Sequence, residues 1–218
     1  MLNARTDREV TRVNTFEARW RIHTNLAKFT VIPIATRNPP PLMIDGENVP
    51  YKRSGSMLGI HVTGRGYTAN ITARVNKAKA CLTRLLRFKD LEIRIKLHLI
   101  KTMIIPILTY PPVPTHALSN TAIQRLQRVQ NSALKYAYGH RWDSFITMEE
   151  LHTQASMPAI NVRLHELARR VWERLENLGG PQYERLQNLH RNYPDNNHNW
   201  FPRSIPRLQG HEPEPRYT

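Results

Sequence analysis

The sequence predicts a mainly α protein with a small β part: a short antiparallel hairpin and strand region followed by a helical bundle. Three observations predict it. Between residues 30 and 62, β-branched and apolar runs alternate with Pro, Gly and Asp-Gly breakers, as in TVIPIA, NPPP and LMIDGENVPY. From residue 67 to 178, apolar residues recur every three or four positions, the period of a helix with one buried face. Beyond 178 the chain turns polar and proline-rich, with little to bury. The expected organisation is residues 1–62, residues 63–178, and a tail, 179–218, without fixed structure.

The first stretch, to about residue 29, reads as helix, because Val13, Phe16 and Trp20 fall on one face. TVIPIA reads as a short strand, Asp45-Gly46 between two apolar runs as a hairpin turn, and SMLGIHV as a further strand. After the turn TGRG comes a helix whose buried stripe is Ile71, Val75, Ala78, Leu82 and Leu85, with Lys77, Arg84 and Arg87 on the other side. Asp90 is the expected N-cap of the next helix, which carries Ile93, Leu97, Ile100 and Ile104. Within KTMIIPILTY, Pro106 lacks an N–H and costs a helix interior about 3 kcal/mol, so a kink or an end is expected near Ile105. A third helix starts near Ser119 or Thr121, buries Ile123, Leu126, Val129 and Ala133, and ends before Gly139. Arg125, Arg128, Ser132 and Lys135 share its other face. A fourth starts near Pro158 or Asn161, carries Leu164, Leu167, Val171, Leu175 and Leu178, and stops at Gly179-Gly180.

Charge points to a polyanionic partner. Among 218 residues, 32 Lys and Arg stand against 17 Asp and Glu, a formal net charge of +15. Nucleic acid is the expected partner, since each phosphate that a cation neutralises releases condensed counterions. No apolar run reaches the roughly 18 residues that span a bilayer, and no signal-peptide pattern opens the chain, so an intracellular place in cytoplasm or nucleus is expected. The single cysteine, Cys81, allows no internal disulfide and reads as core filler. Asp7, Asp45, Asp90, Asp143 and Asp195 are neither adjacent nor alternating, so no carboxylate pair for a metal is visible and no cofactor is expected. Glu149-Glu150 reads as the start of a helix.

Specific stretches take the reading further. WRIHTNLAKFTVI, NPPPLMIDGENVPYKRSGSMLGIHV, the run from ARVNKAKACL to IKTMIIPILTY, and LQRVQNSALKYAYG with ELHTQASMPAINVRLHELARRVWERL stand in order over residues ~20–178. In that order they resemble the end of the palm and the thumb of the reverse transcriptases of non-LTR, jockey-like retrotransposons. The resemblance implies a palm remnant over 1–62 and a thumb-like helical domain over 63–178. It also implies an RNA-directed DNA polymerase as parent enzyme, using Mg2+. The family's catalytic Phe-Ala-Asp-Asp precedes the Trp-x-Ile segment and is not among these residues, so this chain alone is expected not to polymerise. The resemblance places Lys28 at the palm lysine that protonates pyrophosphate, and Leu58, Gly59 and Ile60 at the primer grip. By the same resemblance Lys77, Arg84, Arg87, Arg125, Arg128 and Lys135 are expected to hold the phosphates of RNA, DNA or a hybrid duplex. A surface lysine, a bulged strand and a solvated helix face are the ordinary readings of the same residues, and Met57 and PPVPTHAL depart from the family pattern. The alternative to a reverse-transcriptase fragment is a non-catalytic basic helical protein that binds nucleic acid or serves as a scaffold for a host; a third is a chain that does not fold alone.

Overall fold

Alternating burial in LMIDGENV closes the first hairpin. Strand β1 (Leu42–Ile44) pairs antiparallel with β2 (Glu47–Val49), and Ile44 lies opposite Glu47, which leaves the two-residue connection that Asp-Gly predicts. The computed structural model describes residues 11–12, 14–21, 31–33, 41–44, 47–57, 59–63, 68–111, 118–140, 145–192 and 213–217. These residues are mainly helical, with two small antiparallel hairpins. Two units form, Met1–Asn70 and Ile71–Thr218, a later division than the expected one after residue 62.

In the first unit Leu42, Ile44 and Val49 are buried against Val31 and Tyr51, while Met43 between them is exposed. TVIPIA departs from expectation: of its described residues, Val31 makes one isolated bridge to Tyr51, its carbonyl accepting from Lys52 N at 2.8 Å. Pro33 has no N–H with which to extend a ladder. SMLGIHV is also corrected, from one strand to two. Strands β3 (Ser54–Met57) and β4 (Ile60–Thr63) pair antiparallel with Met57 opposite Ile60, and Gly59 stands in the connection at φ 78°. That left-handed conformation is open to glycine and costs other residues about 1–2 kcal/mol. Residues 14–20 are helical, yet Phe16 and Trp20 are exposed, their rings 6.1 Å apart. Val13 lies outside the described residues.

In the second unit the predicted stripes become one core. Helix α1 (Thr68–Leu85) buries Ile71, Val75, Ala78, Leu82 and Leu85, with Cys81 packed partly against them. Arg74, on the same side, is 5 % exposed, and its Nη2 donates to Leu108 O and, at 3.5 Å, to Pro111 O. Burial pushes this guanidinium down to about 10, so it remains charged at neutral pH and meets the carbonyl end of a helix, where positive charge is favoured. A 3-10 turn, Leu86–Phe88, follows. Helix α2 (Ile93–Leu99) starts from Glu92 without a side-chain cap, not from Asp90.

Pro106 does not end the helix. A π-helical stretch, Ile100–Ile104, leads into α3 (Ile105–Thr109), with Pro106 in its first turn and Ile105 N–H bonded to Ile100 O. A proline is tolerated where the N–H has no i−4 partner to lose. The chain becomes extended only at Tyr110 (φ −93°, ψ 133°). The wider turn also serves the core. Residues four apart drift by about 40° around an α-helix, and one π turn takes back part of that drift. Ile100, Ile104 and Leu108 are all 0 % exposed.

Helix α4 (Asn120–Tyr138) begins at Ser119, whose Oγ accepts from Ala122 N at 3.2 Å. It ends at Gly139 (φ 71°), where His140 N bonds Lys135 O at 2.9 Å and Gly139 N bonds Tyr136 O at 3.3 Å, a Schellman closure. Thr147 and Glu150 form a reciprocal capping box for α5 (Met148–Gln154). Two buried glutamines of α4 hold the next connection: Gln127 Oε1 accepts from Ile160 N at 2.8 Å, and Gln130 Nε2 donates to Pro158 O at 2.9 Å. They satisfy the start of α6 (Ile160–Leu178), which buries Leu164, Ala168 and Trp172. Val171 and Leu178, expected to face the core, are exposed. Residues 181–192, assigned by composition to an unstructured tail, form helix α7 (Pro181–Asn192), and Tyr183 packs 5.4 Å from the Trp172 ring.

Candidate nucleic-acid interface

Two bonds fix how the basic helices lie. Arg125 Nη1, near the start of α4, donates to Thr72 Oγ1 near the start of α1 at 3.1 Å. Tyr136 OH, near the end of α4, donates to Leu85 O, the last residue of α1, at 2.7 Å and lies 3.0 Å from Phe88 O in the turn that follows. The two helices therefore run parallel and side by side. Lys77, Arg84 and Arg87 are exposed, as is Arg128 on α4; Arg125 and Lys135 are half-buried, and Arg125 is partly engaged in joining the helices.

A second basic face, not foreseen in the sequence, lies on α2 and the π stretch. Arg94, His98 and Lys101, spaced four and three, are exposed on one side and line a shallow groove of about 580 Å³ with Ile95, Leu97 and one acidic residue, Glu92. Leu86, Phe88, Ile93 and Ile95 are exposed nearby in sequence, so apolar side chains interleave with the cations. The signal is present as the spacing of RIKLHLIK, masked by the many apolar residues among which these three stand. Lys96, between them, is instead buried, its Nζ 5.3 Å from the Tyr136 ring centre, a cation–π contact.

Helix α6 is rich in arginine yet electrostatically different. Glu166 receives Arg163 Nη1 at 2.6 Å and Arg170 Nη2, and Arg169 Nε lies 3.5 Å from Glu173. The hydrogen bond from Arg163, reinforced by the neighbouring arginines, holds the Glu166 carboxyl below the usual carboxylate range. Among the described residues, by contrast, Lys77, Lys79, Arg84, Arg87, Arg94 and Lys101 make no ion pair. Exposed cations without an ion pair among the described residues thus stand on α1, the following turn, α2 and the π stretch, and also at Arg128, Arg174 and Arg185.

Lys28 and Leu58 lie outside the described residues. Gly59 and Ile60 belong to a connection and the strand after it. Among the described residues no group of three or more His, Cys, Asp and Glu could hold a metal ion. No helix among them is long and apolar enough to cross a membrane.

A buried polar cluster lies elsewhere in the unit. His152, 2 % exposed, has Nδ1 2.8 Å from Met157 O and Nε2 3.0 Å from Gln127 Nε2 and from Asn131 Oδ1. Burial pulls its pKa below the ordinary 6.5, against the opposing pull of the Met157 carbonyl. The unfolded chain therefore takes up this proton at higher pH than the folded one, and stability falls as pH drops through 6.5. We expect the melting temperature to fall between pH 7.5 and 5.5, and H152Q to fall less over the same interval; equal losses would remove His152 as the cause.

Comparison with protein-family models, with curated proteins and with solved structures finds no match for this chain.

Proposed function

We propose that this chain is a reverse-transcriptase fragment of the non-LTR retrotransposon kind, without polymerase activity of its own, and that it binds a template–primer duplex through its helical unit. The observation that carries the binding is the contrast between two sets of cations. Lys77, Lys79, Arg84, Arg87, Arg94 and Lys101 are exposed and make no ion pair among the described residues, whereas Arg163, Arg169 and Arg170 of α6 are paired with Glu166 and Glu173. An unneutralised basic face attracts phosphates and gains by releasing their counterions. The parallel pair α1 and α4, joined at both ends, is a rigid support for such binding. Binding does not draw on Gly59 and Ile60.

The test is fluorescence anisotropy with an RNA–DNA hybrid, a DNA duplex and single-stranded RNA of equal length, over a range of salt. A face that neutralises about six phosphates should lose about 10³-fold in affinity from roughly 50 to 200 mM salt, with the hybrid bound tightest. Steep salt dependence with no preference for form would favour the alternative, a general basic nucleic-acid-binding protein. Affinity indifferent to salt would sink both.

A further inference from the structure

Residues 213–217 return to the helical unit and lie in a groove between α4, α5 and α6. Asn161, 1 % exposed, uses both ends of its amide on this segment: Nδ2 donates to Glu214 O at 2.7 Å, and Oδ1 accepts from Arg216 N at 3.2 Å. Asn131 Nδ2 donates to Tyr217 O at 2.7 Å. Two further interactions engage side chains. Arg216 Nη1 donates to Asn120 Oδ1 at 2.5 Å, and the Tyr217 ring lies 5.0 Å from the His152 ring.

The amides beneath are built in, but the segment itself is not. Glu214, Pro215 and Arg216 stay exposed, and beside them a cavity of about 490 Å³, lined by Gln124, Thr147 and Met148, is left unfilled. A core strap would bury its side chains. This segment instead offers its main chain to fixed amides and projects two side chains for selection, the division of labour by which extended peptides are recognised. Asn161 reads the carbonyl before Pro215 and the N–H after it, so the position between needs no N–H of its own and suits proline.

We propose that this groove is a binding site for an extended Glu-Pro-Arg-Tyr segment of another polypeptide, kept closed by the chain's own copy. Main-chain hydrogen bonds from Asn161 and Asn131 supply affinity; Asn120 and His152 select arginine and an aromatic ring. A tethered occupant competes at an effective concentration on the order of millimolar, so a peptide in trans meets a groove that is mostly filled.

The experiment uses the full chain and a fluorescein-labelled HEPEPRYT peptide, read by anisotropy. With R216A/Y217A, which loosens the tethered copy, we expect saturable binding at least about ten-fold tighter than to the unaltered chain, following from that millimolar competition. Adding N161A should abolish it, and a peptide ending in Pro-Ala-Ala-Thr should not bind. The proposal is overturned if the peptide binds neither protein, binds both equally, or binds regardless of N161A. A double variant that loses its helical circular dichroism also overturns it, because the segment would then belong to the core.

Discussion

Replacing Arg84, Arg87 and Lys101 together with glutamine is expected to weaken duplex binding roughly three- to 150-fold at moderate salt. Each of the three is exposed and makes no ion pair among the described residues, so each is available for one phosphate. An exposed ion pair is worth about 0.2–1 kcal/mol, and three such pairs give roughly 0.6–3 kcal/mol, the range just stated. The slope of log affinity against log salt should fall by about one unit for each phosphate that is no longer neutralised. The matching variant on α6, R163Q/R169Q/R170Q, removes as much formal charge but from residues already paired with Glu166 and Glu173. It should leave affinity nearly unchanged. If the two triple variants weaken binding equally, net charge rather than a particular face governs the interaction, and the assigned interface is wrong. Arg125 is the less informative target, since its bond to Thr72 mixes binding with stability.

What the sequence disclosed depended on repetition. The stripe from Ile71 to Leu85 and that from Ile123 to Ala133 repeat one spacing over several turns, and every residue named in them is buried. Ser119 and Gly139 were legible as caps because cap chemistry is local. Gly59 was not, since the same glycine between apolar residues fits a bulge or a turn, and only the pairing of Met57 with Ile60 decides between them. Arg74 hid within an apolar stripe; its acceptors, Leu108 and Pro111, lie more than thirty positions away in the chain. The docked residues 213–217 carry no periodicity, and their partners are amides on two other helices. Of the candidate interface, the exposure of Lys77, Arg84 and Arg87 was legible from their place opposite a core stripe. The pairing of Arg163, Arg169 and Arg170 on α6 was legible too, in Glu166 and Glu173 set three or four positions from them, but charge totals alone concealed it.

Truncating Ile104 to alanine should be among the most damaging single substitutions. Ile104 is 0 % exposed and closes the π stretch that sets Ile100 and Leu108 against the same core. Removing a buried isoleucine side chain to alanine costs about 2–5 kcal/mol, the upper part where the surroundings cannot collapse into the gap. Collapse is restricted here. Arg74 ties α1 to the end of α3 through Leu108 O, and Tyr136 ties α4 to the end of α1, so the walls of the cavity are held from two sides. At about 2–4 °C per kcal/mol for a chain of this size, the melting temperature should fall by roughly 4–20 °C. Met103, next in sequence and 43 % exposed, is the control: M103A should shift stability by no more than about 0.5 kcal/mol, as surface substitutions do. Equal losses at the two positions would mean that the π stretch does not direct Ile104 inward, and the account of how Pro106 is accommodated would fall with it.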